Sequence, residues 1–224
     1  MGALDRQTAL VPVVPVPSVL VRRVADLTGS PTAGAALLAR YGEKHRRYHT
    51  AEHLAEVLGW VDTLADLAED PVAVELAAWY HDAIYDPTAG AGESERRSAE
   101  LAVVELRALA QPESTIAEVE RLVLLTAGHE PEPGDADGAV LADADLAILG
   151  ADPQRYARYA AAVRAEYAHV PDEAWFAGRA AVVRHFAERT RLYATDRAHS
   201  LLDAAARRNL RWELDTLRPI DPSA

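Results

Sequence analysis

Three histidines stand four residues apart, His45, His49 and His53, and a His81-Asp82 pair follows them. Four residues is a little more than one helical turn, so on a helix the three imidazoles share one stripe, neighbours ~6 Å apart. Two rings at that spacing can reach one metal ion or one substrate. A second helix carrying His81 and Asp82 to that stripe completes a hard site of nitrogen and oxygen donors. Such a donor set suits a divalent ion that activates water.

Other polar residues fall where core belongs. On a helix, Asp145 shares its face with Leu141, Ile148 and Leu149, and Asp143 sits among Ala139, Val140, Leu146 and Ala147. A buried, unpaired carboxylate is very costly, so such a group needs a cation. Position alone favours Asp145 over Asp143 only slightly. His81 shares its face with Ala77, Ala78, Ile84 and Tyr85. His129, after Thr126-Ala127-Gly128, stands at a helix end, where an imidazolium also meets the helix dipole. Taken singly, each feature has an ordinary explanation as a hydrogen-bonded core histidine or a solvated surface stripe. Their joint occurrence points to a metal.

The elements that must position these groups read as helices. The chain has 224 residues, aromatics are only 6% of them, and Gly and Pro cluster between apolar stretches rather than inside them. Ser18 is placed to cap a helix over 19–28, ended by Gly29 and Pro31. A second helix covers 32–41. Residues 50–68 have a 3.6-residue apolar period; Thr50 caps this helix, or the helix begins earlier and carries all three histidines. Pro71 opens a helix over 71–84. Further helices are expected over 94–110, 113–127, 139–149, 153–169, 171–190 and 197–217. The prolines between Val11 and Pro17 exclude the helical core of a signal peptide, so 1–17 is expected as an extended arm and 18–218 as one all-α domain.

Composition excludes several chemistries. There are no cysteines, hence no disulfide, thiolate metal site or thiol nucleophile. A formal net charge of -12 argues against sequence-independent nucleic-acid binding. A small phosphorylated substrate remains compatible, because a metal and local arginines reverse the local field. No apolar run approaches the ~20 residues that span a bilayer, and the expected compartment is the cytoplasm.

Several stretches together resemble the HD-domain superfamily of metal-dependent phosphohydrolases. They are Arg46-Arg47-Tyr48-His49-Thr50-Ala51-Glu52-His53-Leu54, Ala78-Trp79-Tyr80-His81-Asp82-Ala83-Ile84-Tyr85-Asp86, Glu95 through Ala99, Thr126 with His129, and Ala142-Asp143-Ala144-Asp145-Leu146. Arg164-Ala165-Glu166-Tyr167, Gly178-Arg179 and Asn209-Leu210 with Glu213-Leu214 extend the likeness over roughly residues 36–215. The resemblance implies an HD-type helical bundle with a divalent ion (Mn, Fe, Co, Ni or Mg) on His53, His81, Asp82 and Asp145. His129 and Asp143 are further ligand candidates.

The Tyr48-His49 to His53 stretch also resembles a motif of cyclic-nucleotide phosphodiesterases, which implies His49 as general acid. Asp86 matches the second member of an acidic pair in the (p)ppGpp-hydrolase branch and is expected to orient the attacking water; the first member is Tyr85 here, a departure from that branch. Arg46, Arg164 and Arg179 are candidate phosphate clamps, since guanidinium forks match phosphate geometry. His45 falls at a position the pattern leaves free. The expected activity is hydrolysis of a nucleotide or other small phosphoester or phosphoanhydride. A di-iron oxygenase, with His49 and His129 completing a two-metal set, and a non-catalytic nucleotide sensor are the alternatives.

Overall fold

The structure is a computed structural model that describes residues 17–217. Helices α1 (Pro17–Thr28) and α2 (Pro31–Arg40) precede α3 (Ala51–Leu64) and α4 (Pro71–Tyr80). Then come α5 (Glu93–Ala108), α6 (Glu113–Leu125), α7 (Ala136–Asp145), α8 (Pro153–Glu166), α9 (Asp172–Glu188) and α10 (Asp196–Thr216). Short 3-10 turns, Ala65–Leu67 and Leu146–Gly150, continue α3 and α7. There is no strand among the described residues, so the fold is all-α as the composition implied. No helix among them is long and apolar enough to cross a membrane.

Helix starts follow local chemistry. Ser30, Asp70, Asp152 and Thr195 each accept a backbone N–H of the helix they open, and Pro31, Pro71 and Pro153 occupy first turns, where a missing N–H costs nothing. The arm expected over 1–17 lies outside the described residues except for Pro17, which opens α1; Ser18 is therefore inside that helix rather than its cap.

Two boundaries differ from expectation and a third decides between the two starts expected for α3, and all three bear on the site. Thr50 is the N-cap of α3, its hydroxyl accepting Glu52 N–H, so His45 and His49 precede the helix and the single three-histidine stripe does not form. The competing cap won over helix extension. Helix α4 ends at Tyr80, with His81 as its C-cap, so the His-Asp pair lies on the turn that leaves the helix. Helix α7 ends at Asp145, where the backbone tightens into the 3-10 turn.

The core centres on α3, α4 and α7, which pack on one another through Leu54, Leu58, Leu76, Trp79, Val140 and Leu141, all fully buried. Helix α6 braces α4 and α5, and α1 and α2 close one side. Helix α10 lies against the 3-10 turn after α7. Gly150 permits that approach: a Cβ there would sit 2.7 Å from Leu202 Cβ and 3.0 Å from Leu202 O. Tyr193 donates its hydroxyl to Leu146 O (3.1 Å), and Asn209 Nδ2 donates to Leu149 O (2.8 Å) and Ala151 O (2.9 Å). These contacts fix the chain directly after Asp145.

Candidate metal centre

Four side chains from three elements converge. His53, the third residue of α3, and His81 are both 2% exposed. Their Nε2 atoms lie 3.2 Å apart. Asp82 Oδ2 is 3.1 Å from His81 Nε2 and 3.4 Å from His53 Nε2. Asp145 Oδ1 is 3.2 Å from His53 Nε2 and 3.6 Å from His81 Nε2. Donors at ~2.1 Å around one ion are ~3.0–3.4 Å apart along octahedral or tetrahedral edges; four of these five separations fall in that range, and the His81–Asp145 pair lies just outside it. One ligand atom each from His53, His81 and Asp82 fall mutually within 4.8 Å.

The ring orientation fits the same reading. His81 Nδ1 lies 2.7 Å from Ala78 O, which only accepts, so Nδ1 carries the hydrogen and the neutral ring presents a lone pair at Nε2. Lone pairs of two imidazoles and two carboxylates facing one point repel unless a cation or a proton sits among them. Burial alone lowers the pKa of His53, but hydrogen bonds and charge from Asp145 and Asp82 outweigh it and push it up to about 10. His81 is raised by the same carboxylates against the same burial. Burial raises Asp82 and Asp145, yet the imidazoles, His81 foremost, hold both well below the usual carboxylate range. This donor set, hard and mixed, with buried histidines and anionic carboxylates, fits a divalent ion.

Neighbouring groups hold the donors in place. His129 Nε2 lies 2.7 Å from Asp145 Oδ2, which leaves Oδ1 turned toward His53 and His81. His129 sits at φ 51, a left-handed conformation uncommon outside glycine, and Arg189 donates to its carbonyl at 2.9 Å. The buried Arg46 donates to His49 O (3.0 Å), Asp82 O (2.8 Å) and Ala83 O (3.2 Å). It thereby ties the segment before α3 to the His-Asp turn. That role occupies its guanidinium, so the structure places Arg46 behind the site rather than on a phosphate.

His49 lies in the segment before α3, yet its ring is 5.8 Å from that of His53, centroid to centroid. Its Nδ1 is 2.7 Å from Glu166 Oε2, and its ring stacks on Tyr85 at 4.0 Å. Glu166, buried on α8, accepts the backbone N–H groups of Arg47, Tyr48 and His49 on Oε1, at 2.7, 2.8 and 3.1 Å. Tyr85 donates its hydroxyl to Oε2 at 3.0 Å. Burial pushes the Glu166 carboxyl up, but His49 and these donors prevail and hold it down at about 2. With Nδ1 committed to Glu166, Nε2 is the nitrogen His49 has for the pocket it lines.

The remaining sequence candidates are placed elsewhere. Asp143, 1% exposed, points away from the cluster and accepts Ala194 N–H, Thr195 N–H and the Thr195 hydroxyl, each at 2.7 Å, at the start of α10. Its burial raises its carboxyl above the usual range, partly offset by those donors. Asp143→Asn is therefore expected to leave metal content unchanged and to lower stability by about 1–3 kcal/mol, because an amide nitrogen opposes the N–H donors. A denaturant titration beside elemental analysis checks both halves; metal loss at unchanged stability would contradict this placement.

Asp86 accepts the backbone N–H and hydroxyl of Thr88 in its own loop and does not line the pocket, so the structure does not bring it to the cluster. Arg164 donates to Tyr167 O, Val170 O and Asp172, bracing the turn after α8. Arg179 does reach the pocket wall but is paired with Glu213 and the Tyr159 hydroxyl. His45 is exposed and bonds Tyr85 O at 2.8 Å.

The cluster opens into a pocket of about 520 Å³ between the 3-10 turn after α7 and helices α8 and α9, inside the roughly 300–1,000 Å³ range of small-ligand sites. Glu166, the pocket-lining Glu95 and the aromatic wall of Tyr159, Tyr167 and Trp175 had no assigned role in the sequence reading. Fold and site define an all-α protein with a candidate metal centre of two histidines and two aspartates at the base of a pocket. Comparison with protein-family models, curated proteins and solved structures finds no significant match for this chain.

Proposed function

We propose that this chain is a metal-dependent phosphohydrolase of HD type that cleaves a small phosphoester or phosphoanhydride with water. The observation that carries the reading is the meeting of His53, His81, Asp82 and Asp145 at coordination-edge distances at the base of a pocket. A divalent ion bound there supplies the positive charge that acidifies water and attracts phosphate oxygens. His53, His81, Asp82 and Asp145 hold it. His129 and the Ala78 carbonyl keep two of those ligands in register.

His49 is the proton donor in this reading. Glu166 fixes its Nδ1–H, so Nε2 is the nitrogen that can give a proton to the leaving oxygen. The likeness of the Tyr48-His49 to His53 stretch to phosphodiesterases supports that role. Arg179, on the pocket wall, is the arginine of the original three that remains near a bound substrate.

The test is a screen of nucleotides and simple phosphoesters for phosphate release by the full chain, loaded in turn with Mn, Co, Ni, Fe or Mg. Expected is turnover that needs a metal and disappears with a chelator. Stoichiometric metal with no phosphate released from any ester would sink the hydrolase reading and leave a sensor or an oxygenase.

A further inference from the structure

We propose that the pocket selects a phosphoester of low charge whose leaving group is apolar or aromatic, and discriminates against polyphosphates and sugar phosphates. The inference rests on the phosphohydrolase reading and names its substrate class.

Beyond the cluster the pocket is walled by apolar groups. Ile148 and Leu149 come from the turn after α7, Tyr159 from α8, and Trp175, Val182 and Phe186 from α9. This wall is continuous with the ligands. The Tyr159 ring lies 4.6 Å from that of Tyr48, which lies 4.6 Å from that of His53. The Phe186 ring is 6.2 Å from that of His129, which holds Asp145. A phosphoryl group seated at the cluster therefore directs its leaving group along a surface that gains by burying hydrocarbon.

The charges point the same way. Asp82, Asp145 and Glu95 line the pocket, and the first two offset a divalent ion. Arg179 is balanced by Glu213, with its Nε 2.7 Å from Oε1 and an Nη2 3.1 Å from Oε2. Arg46 and Arg164 are spent on backbone carbonyls. Lys44, the chain's one lysine, is exposed and not among the lining residues. Among the described residues lining the pocket, no unbalanced Lys or Arg is left to meet the further negative charges of a triphosphate. Each such phosphate would meet Glu95 and apolar wall instead.

The experiment compares 2-phenylethyl phosphate, ribose 5-phosphate and ATP on the metal-loaded full chain. The first two both leave as primary alkoxides, so leaving-group basicity does not decide between them. Expected is a kcat/KM for 2-phenylethyl phosphate at least about tenfold above the other two, the scale set by burying a phenyl ring. Val182→Asp, an exposed substitution in that wall, should raise KM for 2-phenylethyl phosphate more than that for ribose 5-phosphate, because only the first loses an apolar contact; an equal rise in both would overturn the role of the wall.

Equal or better turnover of ATP or ribose 5-phosphate overturns the substrate class while the hydrolase reading survives. If none of the three is hydrolysed, titration of tryptophan emission with 2-phenylethyl phosphate decides. A saturable change that is lost in Trp175→Phe keeps the ligand class although the hydrolase reading fails. No saturable change overturns the ligand class.

Discussion

His81→Ala and Asp82→Ala are each expected to leave the purified protein without bound metal and without turnover. Each removes one of four donors: His81 Nε2 lies 3.1–3.6 Å from donor atoms of His53, Asp82 and Asp145, and Asp82 Oδ2 lies 3.1 and 3.4 Å from the two imidazoles. Loss of a group that only orients a ligand costs ~10–100-fold in affinity, and loss of a ligand itself should exceed that. His129→Asn supplies the graded comparison. Asparagine tolerates the left-handed backbone of this position, so the variant loses the hold on Asp145 without added strain, and metal affinity should fall only within that ~10–100-fold range. Asp82→Asn keeps shape while removing charge and guards against misfolding as the cause. His45→Ala, outside the pocket, should keep full occupancy. Full metal content in both His81→Ala and Asp82→Ala would remove the site.

How much of this was legible follows from what each signal measures. Apolar periodicity located the helices, because a 3.6-residue period reports which face is buried. It left open whether α3 starts at Thr50 or earlier, and it did not place the 3-10 turn at Leu146; both are local backbone choices made against tertiary contacts. The three-histidine stripe therefore fails as geometry, although His49 and His53 still reach the same site through the turn before α3. The burial argument recognised that Asp143 and Asp145 both needed partners. It could not tell which partner each would find, since the donors on Asp143 come from residues 194 and 195, about fifty positions away. Arg46 could not be read as a backbone clamp because its acceptors are carbonyls, which carry no residue identity. Glu166 could have been found. It continues the buried face of Tyr156, Tyr159 and Val163 on α8, so the test applied to Asp143 and Asp145 would have flagged a third carboxylate in need of donors.

Glu166→Gln should separate the proton donor from the metal. The glutamine oxygen can still accept the N–H groups of Arg47, Tyr48 and His49, so the segment before α3 keeps its path and the metal stays bound. What is lost is the negative charge 2.7 Å from His49 Nδ1. Turnover of an alkyl phosphate should fall ~10²-fold or more, approaching the ~10²–10⁴-fold loss expected for His49→Gln. For a nitrophenyl ester, whose leaving oxygen needs no proton, both losses should shrink. A purely structural glutamate would lower activity on both esters alike. Acid stability gives an independent readout. The Glu166 carboxyl is depressed to about 2 in the folded chain against 4.5 unfolded, so its contribution is present above pH 4.5 and is lost as pH falls toward 2. That contribution is about 3 kcal/mol, and the acid-induced loss should be correspondingly shallower in Glu166→Gln. Equal rate losses for good and poor leaving groups in His49→Gln would take the proton-donor role away from His49, and metal loss in that variant would make it a ligand.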